Sequence, residues 1–494
     1  MLLVRLDESS RQTKTSQIVE QVKSLIENGA LRPGDALPST RRLAASLCID
    51  RSTVANAYQE LWAIGFIDAR PRACPRVRKR VDLTAAAETR SCAIDWEQLS
   101  SQAGNELYRT MSRFGSPSGR PDSSVIDFST LRPDHRLLPL DRFRTCLNHV
   151  LREEGRGLMG YGDCAGYPPL RELIALRLKS HGMSVTRDEV LITNGSQHAL
   201  DLVFRMASSP GKKLVVESPT YDCVLPLIRF HGLVPVEVPM GAGGMDLSVL
   251  RDVLERERPS LVYTMPSLQN PTGVTTSQAH REQLLELCGR FRVPVIEDGF
   301  DEEMKYFGRA VLPIKSMDKH GLVIYCGTFS KVLFPGMRVG WIVADAGCIE
   351  RLSAIRRSSE LSPNLVAQAA FFEFCRRGYL DRHIAKMHRI FRKRMLVLID
   401  SLRKYVPEGW TEWDGPTGGY LAWLRLNPGL KTPADWDVHF ASHGIRVSMG
   451  DRFYAGKAPG VCLRLSISKL DEREISEGVK RLALSLRALA GDRT

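Results

Sequence analysis

Gly327-Thr328-Phe329-Ser330-Lys331, continued by Pro335-Gly336-Met337-Arg338-Val339-Gly340-Trp341, is the stretch that decides how the chain folds. The apolar run Leu322-Val323-Ile324-Tyr325 before it predicts a buried strand, so Lys331 sits where a strand ends and a loop begins. An amine beside a packed core loses hydration, its pKa falls, and it becomes a candidate Schiff-base nucleophile. Ser330 and Arg338 flank it with a hydroxyl and a guanidinium, both suited to an anion. A lone lysine after a strand is ordinarily a solvated surface group. The neighbours of this one point the other way.

Working outward, strand-like and helix-like periods alternate from about residue 125 to the C-terminus, the pattern of an α/β domain. Tyr161-Gly162-Asp163 leads into a helix. Val190-Leu191-Ile192-Thr193 predicts a strand that runs into Asn194-Gly195-Ser196-Gln197 and then a helix, a step that turns free backbone amides and a hydroxyl toward an anion. Val215-Val216-Glu217-Ser218-Pro219-Thr220-Tyr221 delivers an aromatic from a strand to a loop, where it can stack on a flat ring. Asn270-Pro271-Thr272-Gly273 is a turn. Val293-Pro294-Val295-Ile296-Glu297-Asp298 places a carboxylate at a strand's end, and a carboxylate buried there needs a cationic partner such as a protonated pyridine nitrogen. Each of these alone reads as a turn or a cap. Five in this order, followed by Ser330-Lys331 and by Arg464 within Leu463-Arg464-Leu465, read as one site.

The N-terminal segment has a different grammar. Ile18, Val22, Leu25 and Ile26 recur at helical spacing, and Gly29 stops that helix. Arg32-Pro33-Gly34-Asp35 is a turn, and Ser39 is the N-cap of a second helix with Leu43 and Leu47 facing inward. After the break at Ile49-Asp50, Arg51-Ser52-Thr53-Val54-Ala55-Asn56-Ala57-Tyr58 opens a third helix. Two short helices joined by a tight turn, the second opening on small polar residues, make a helix-turn-helix. Arg51, Ser52, Thr53 and Asn56 project from the reading helix, while Val54, Tyr58 and Leu61 pack. From Val81 to about Ser124 the periodicity dissolves into a linker, with a short helix near Trp96 and Leu99. The expected division is therefore a head over 1–80, a linker over 81–124 and a body over 125–494.

Charge follows that division. The 494 residues carry a net charge of +13, yet residues 1–80 alone hold 14 Lys and Arg against 8 Asp and Glu. About half of the excess lies in a sixth of the chain, which favours a polyanionic partner for the head. Eleven dispersed cysteines without a C-x-x-C pair or metal-ligand spacing imply reduced thiols in a cytoplasm, no disulfide framework and no metal site. The first residues, Met1-Leu2-Leu3-Val4-Arg5-Leu6-Asp7, turn acidic too early for a signal peptide, and the apolar runs are too short to span a membrane.

Residues 17–68 resemble the winged helix-turn-helix of GntR-type bacterial regulators. The resemblance rests on Leu31-Arg32-Pro33-Gly34-Asp35-x-Leu37-Pro38-Ser39-x-Arg41-x-Leu43-Ala44, then Arg51-Ser52-Thr53-Val54 and Tyr58-x-x-Leu61. The wing departs from that pattern: Arg70-Pro71-Arg72-Ala73-Cys74-Pro75-Arg76-Val77 stands where the family has a glycine-rich hairpin tip, and its arginines suit phosphate contact. Ser39, Thr40, Arg41, Arg51, Ser52, Thr53 and Asn56 are the expected DNA-binding residues. The body resembles fold-type I aminotransferases, which use pyridoxal 5'-phosphate (PLP), and the combination of such a head and body is similar to the MocR subfamily of regulators.

By that resemblance Lys331 forms the internal aldimine with PLP, Asp298 pairs with the pyridine nitrogen and Tyr221 stacks on the ring. Gly195, Ser196, Ser330 and Arg338 hold the phosphate, with Tyr161 contributing from the other subunit of a homodimer. Arg464 clamps the carboxylate of an amino-acid-like ligand. The family tyrosine that bonds the cofactor's phenolic oxygen is Phe300 here, which has no donor, and Asn270 is expected to supply that bond. The resemblance implies a cytoplasmic regulator that binds double-stranded operator DNA and senses an amino-acid or amine-like effector. A working aminotransferase with an accessory DNA-binding head is the alternative, and Phe300 counts mildly against it.

Overall fold

The computed structural model describes residues 4–10, 12–68, 74–79, 94–113, 124–300, 302–308 and 311–490. The chain divides into two compact units, Met1–Leu99 and Ser100–Thr494.

In the first unit, α1 (Lys14–Glu27) is capped by Thr13, whose hydroxyl accepts from the Ser16 amide. Helix α2 (Thr40–Leu47) opens on Ser39, whose Oγ accepts from the Arg42 amide at 3.3 Å, so the expected N-cap is in place. Cys48 ends α2 in the left-handed region (φ 54°), and three residues later α3 (Arg51–Ala63) begins. Ile18, Val22, Leu43, Val54, Ala57 and Leu61 close the three-helix core, each burial contributing about 1.5–3 kcal/mol for a large aliphatic side chain. The Tyr58 hydroxyl donates to the Pro38 carbonyl at 3.0 Å and ties α3 to the entry of α2. Strands β1 (Ile67–Asp68) and β2 (Arg76–Val77) pair antiparallel as the wing. The turn Arg32-Pro33-Gly34-Asp35 is stitched to that wing: Gly34 N donates to Val77 O at 2.8 Å and Val77 N to Asp35 O at 2.9 Å. The wing residues Arg70, Pro71, Arg72 and Ala73 lie outside the described residues.

The second unit includes part of the expected linker. Residues 81–93 and 114–123 lie outside the described residues, but between them stand a short helix, Trp96–Leu99, at the end of the first unit, and α4 (Gln102–Arg113), which belongs to the second. Helix α4 packs against α6 (Val224–Phe230), the helix that follows Tyr221. The linker pattern hid α4 because its large apolar side chains are few and Tyr108 and Met111 are exposed.

An eight-stranded sheet forms the centre of the second unit. Its strands are β3 (Val190–Thr193), β4 (Lys213–Ser218), β5 (Val234–Gly241), β6 (Gly244–Met245), β7 (Leu261–Thr264), β8 (Val295–Gly299), β9 (Val323–Thr328) and β10 (Gly340–Val343). The spatial order is β3-β10-β9-β8-β7-β4-β5-β6. Strands β5, β4, β7, β8 and β9 run parallel, while β10 is antiparallel to both of its neighbours and β6 to β5. Every residue of β3, β7, β8, β9 and β10 is buried, as helices covering both faces require. In such a sheet, ligands gather beyond the carboxyl ends of the strands. The register Cys326↔Asp298 and Gly327↔Gly299 sets the ends of β8 and β9 side by side at that edge. A smaller antiparallel sheet carries Arg464 on its strand Cys462–Ser466, opposite Trp423 and Ser448. No helix among the described residues is long and apolar enough to cross a membrane.

Candidate cofactor and ligand site

Three sheet ends build the site. Strand β9 leaves Lys331 just past its end, half-buried, with Nζ donating to the Leu131 carbonyl at 3.2 Å. The Lys331 carbonyl accepts from the Tyr420 hydroxyl at 3.3 Å, which fixes the backbone from which the amine projects. The parallel neighbour β8 carries Asp298 one residue before its end, 2% exposed, with its Oδ2 accepting from the Tyr263 hydroxyl at 2.9 Å. Tyr263 lies on β7, one strand further, and burial together with Asp298 pushes its phenol well above its usual range. It therefore stays a donor and holds the carboxylate in place. Burial, with Cys223, Asp222 and Asp298 close by, does the same to the Tyr221 phenol.

Arg464 is 5% exposed. Its guanidinium donates to Asn270 Oδ1 at 3.1 Å, the Ser129 carbonyl at 2.8 Å and Ser448 Oγ at 3.1 Å, all neutral oxygens. The buried Nε has no hydrogen-bond partner among the described residues. Burial lowers the Arg464 pKa, and the carboxylate that most opposes this, Asp222, already pairs with Arg452 at 2.8 Å. The guanidinium is stacked on Phe453, 4.9 Å from the ring centre. Such a group accommodates a ligand carboxylate, which would bring the missing negative charge and an acceptor for Nε. Asn270 has given its carbonyl oxygen to Arg464, so its amide NH2 is the end that remains to donate. Phe300 is buried at 7% exposure.

Opposite these groups lies the turn Asn194-Gly195-Ser196, at the start of α5 (Ser196–Ala207). Gly195 has φ +88°, a backbone conformation that favours glycine, and the Arg338 guanidinium lies 2.6 Å from where a Cβ would stand. Arg338, itself at φ 54°, donates from Nη2 to the Asn194 carbonyl at 2.5 Å. On the β9 side, Thr328 Oγ1 donates to Ser330 Oγ at 2.9 Å and accepts from the Ser330 amide at 3.1 Å. A helix start, two hydroxyls and an arginine form a cradle suited to a phosphate.

The residues present fit PLP: a lysine, a buried carboxylate with a fixed orientation, an aromatic and an anion cradle share one edge of the large sheet, and the smaller sheet brings a buried arginine with an orphaned Nε close to Tyr221 and Cys223. Tyr161 stands apart. It is 85% exposed, and no hydrogen bond among the described residues joins it to these groups. Sequence reasoning missed Thr328, Tyr263, Cys223 and the Asp222–Arg452 pair. Thr328 stood inside the quoted motif and its hydroxyl was a readable signal; Tyr263, an apolar-strand residue 35 positions from Asp298, gave none. The Cys223 thiol, pushed up to about 11 by burial and Asp222, lies close enough to Lys331 to feel its charge.

In the head, Arg51, Ser52 and Asn56 are exposed and Thr53 half-buried along the start of α3. Arg51 Nε donates to Thr40 Oγ1 at 3.3 Å, linking the starts of α2 and α3. Arg41 is exposed, and the Ser39 hydroxyl proton stays available while its oxygen caps α2.

Comparison with known proteins agrees with both units. Residues 125–482 match the family of aminotransferases of class I and II, and residues 14–77 match the gntR family of bacterial regulatory proteins. The HTH-type transcriptional regulator YdcR of Escherichia coli is 30% identical over 90% of this chain and 92% of its own length. The probable rhizopine catabolism regulatory protein MocR of Rhizobium meliloti is 27% identical over 96% of this chain and 94% of its own. Among solved structures, LysN, the α-aminoadipate aminotransferase of Thermus thermophilus complexed with N-(5'-phosphopyridoxyl)-L-leucine, superposes with a TM-score of 0.73. It is 29% identical and the match covers 80% of this chain and 99% of that one. Head and body together define a GntR-type DNA-binding domain fused to an aminotransferase-like domain of the PLP-dependent fold. The chain belongs to the aminotransferase class I and II family, in the MocR subfamily of regulators.

Proposed function

We propose that this chain is a cytoplasmic, PLP-dependent transcription regulator whose body senses an amino-acid or amine-like effector at Lys331 and whose head binds operator DNA as part of a homodimer. The observation that carries the reading is Arg464, a buried guanidinium held by neutral oxygens, which the smaller sheet brings to Asn270 and close to Tyr221 and Cys223. PLP, when bound, supplies an aldehyde that condenses reversibly with amines and a ring that withdraws electrons. Lys331 offers the amine for attachment. Asp298, oriented by Tyr263, favours a proton on the pyridine nitrogen, and Tyr221 covers the ring. Gly195, Ser196, Ser330 and Arg338, with Thr328, hold the phosphate, to which Tyr161 of one subunit adds in the other's site. Asn270 donates from its amide to the ring oxygen, the bond that Phe300 cannot make, and Arg464 takes the effector's carboxylate. Ser39, Thr40, Arg41, Arg51, Ser52, Thr53 and Asn56 form the DNA face.

Full-length protein incubated with PLP should hold an adduct that borohydride reduction makes permanent, and Lys331→Ala should lose it. Wild type without a trappable adduct would sink the reading. The intact set of Lys331, Asp298 and Arg464 favours a second reading, a working aminotransferase with an accessory head. A panel of amino acids and 2-oxo acids separates the two. Steady-state turnover supports the enzyme; a spectral change and altered operator affinity without turnover support the sensor.

A further inference from the structure

The turn that would cradle the phosphate is held from behind by groups that lie outside the site. Asn194 uses three polar handles. Its backbone N–H donates to His198 Nδ1 at 3.0 Å, its side-chain Nδ2 to Glu360 Oε1 at 2.7 Å, and its carbonyl accepts from Arg338 Nη2 at 2.5 Å. His198 occupies the third position of α5, from which a side chain ordinarily reaches back to the N–H of the N-cap residue. Here the N-cap is Gly195, and His198 takes the amide one residue earlier. That choice leaves the Gly195 and Ser196 amides outside the capping bond, at the helix start where an anion would sit.

Glu360 is fixed in turn. Its Oε2 accepts from Arg356 Nε at 2.8 Å, and Arg356, fully buried, also donates to the Cys164 and Ile192 carbonyls. Since Ile192 belongs to β3, the chain of bonds runs from the sheet through Arg356 and Glu360 to Asn194.

We propose that His198 and Glu360 are positioning residues that set the Asn194-Gly195-Ser196 turn and thereby the grip on the cofactor's phosphate. The inference rests on the PLP reading above and goes beyond it to residues that touch neither cofactor nor effector.

The bond also constrains protonation. Nδ1 accepts, so it carries no proton, and an imidazolium at 198 cannot make this contact. Burial and the Arg356 guanidinium hold the His198 pKa below its ordinary value, against the opposing pull of Glu360 and Asp201, with Arg205 adding to the depression. Asp201 is itself bonded to His231 at 2.8 Å, and Arg338 faces the turn from the other side. A lowered imidazole pKa means that the neutral form is favoured in the folded protein. The contact is complete at neutral pH and is lost as pH falls through the lowered value.

The test uses the full-length protein titrated with PLP and, separately, with pyridoxal, which lacks the phosphate. His198→Ala should weaken PLP binding about tenfold, the effect of one lost hydrogen bond, while pyridoxal affinity changes less than twofold. His198→Asn presents an amide oxygen where Nδ1 stood. It should restore PLP affinity and, having nothing to titrate, should lose less affinity than wild type as pH falls through the lowered imidazole value. Titration of the phosphate itself is common to both proteins and cancels in that comparison. Glu360→Gln should weaken PLP selectively as well. Equal loss for PLP and pyridoxal, an unaffected His198→Ala, or the same pH profile for His198→Asn and wild type would each overturn the proposal. If wild type itself held no trappable PLP, the cofactor reading would fall first, a result distinct from loss in the variants alone.

Discussion

At the scale of single residues, Arg464 has a side chain whose surroundings are incomplete within this chain. A guanidinium 5% exposed within a β-strand is costly to desolvate, and its partners here are an amide oxygen, a carbonyl and a hydroxyl. Exchanging such a buried charge for an apolar side chain of similar volume is often neutral or stabilising, by as much as about 1–4 kcal/mol. Arg464→Met should therefore leave the ligand-free protein as stable as wild type or more so. The same change should weaken a carboxylate ligand by on the order of 100-fold, because a charge-paired hydrogen bond contributes about 2–5 kcal/mol. Thermal unfolding and titration with amino acids check both halves. A variant that melts well below wild type yet binds amino acids as tightly would assign Arg464 a purely structural role.

At the scale of elements, β4 shows how a strand end can carry a titrating group beneath the site. Glu217 is fully buried; its Oε1 accepts from Thr264 Oγ1 and the Met265 amide, and its Oε2 from Gln269 Nε2. Gln269 adjoins Asn270, and Asp298 adds its own charge to the surroundings. Burial pushes the Glu217 carboxyl up to about 7, although its hydrogen bonds pull it down. A raised carboxyl pKa means that the folded state favours the protonated form. Its contribution is thus complete below the unfolded value near 4.5 and is lost as pH rises through about 7. The total loss is roughly 3 kcal/mol at about 1.4 kcal/mol per pH unit. Glu217→Gln has no such loss, so wild type should lose melting temperature relative to that variant between pH 5 and pH 7.5. Parallel melting curves across that range would show that the carboxyl is ionised throughout. The start of α5 is a second case at this scale: Gly195 was legible as a turn residue and its φ of +88° favours glycine, but the arginine guanidinium that lies 2.6 Å from its missing Cβ arrives from a loop 143 residues later.

At the scale of the whole molecule, a basic head and a larger body divide the work. The head has its own core, closed by Ile18, Val22, Leu43, Val54 and Leu61, and the isolated segment 1–80 should fold and bind DNA. In the proposed homodimer two heads share one body, and the second contact is made at a high effective concentration. The isolated head should bind an operator at least tenfold more weakly than the full chain. Both should lose affinity steeply with salt, as neutralised phosphates release their counterions. Operator titrations at 50 and 200 mM salt test this, and equal affinities for the head and the full chain would remove the body as the source of avidity.

The sequence by itself determined the order of the parts and the placement of most candidate site residues at strand ends. Ser39 as a cap, Val54, Tyr58 and Leu61 as packing residues, and the strands before Gly195, Tyr221, Asp298 and Lys331 are all set by local pattern: apolar periodicity, turn residues and a few spaced polar groups. Local pattern also carried the motif residues, because in a parallel sheet the functional side chains sit where apolar runs stop. What only the tertiary structure decided concerns contacts between distant positions. The bonds from Tyr263 to Asp298, from Arg464 to Asn270 and from His198 and Glu360 to Asn194 depend on which strands are neighbours and on which face each helix packs. So does α4, whose weak apolar pattern reads as linker until α6 supplies the surface that it covers. A hydrophobic period reports how one segment divides core from solvent; it carries no information on which other segment completes the core or satisfies a buried polar group. That is set by the packing of the whole chain.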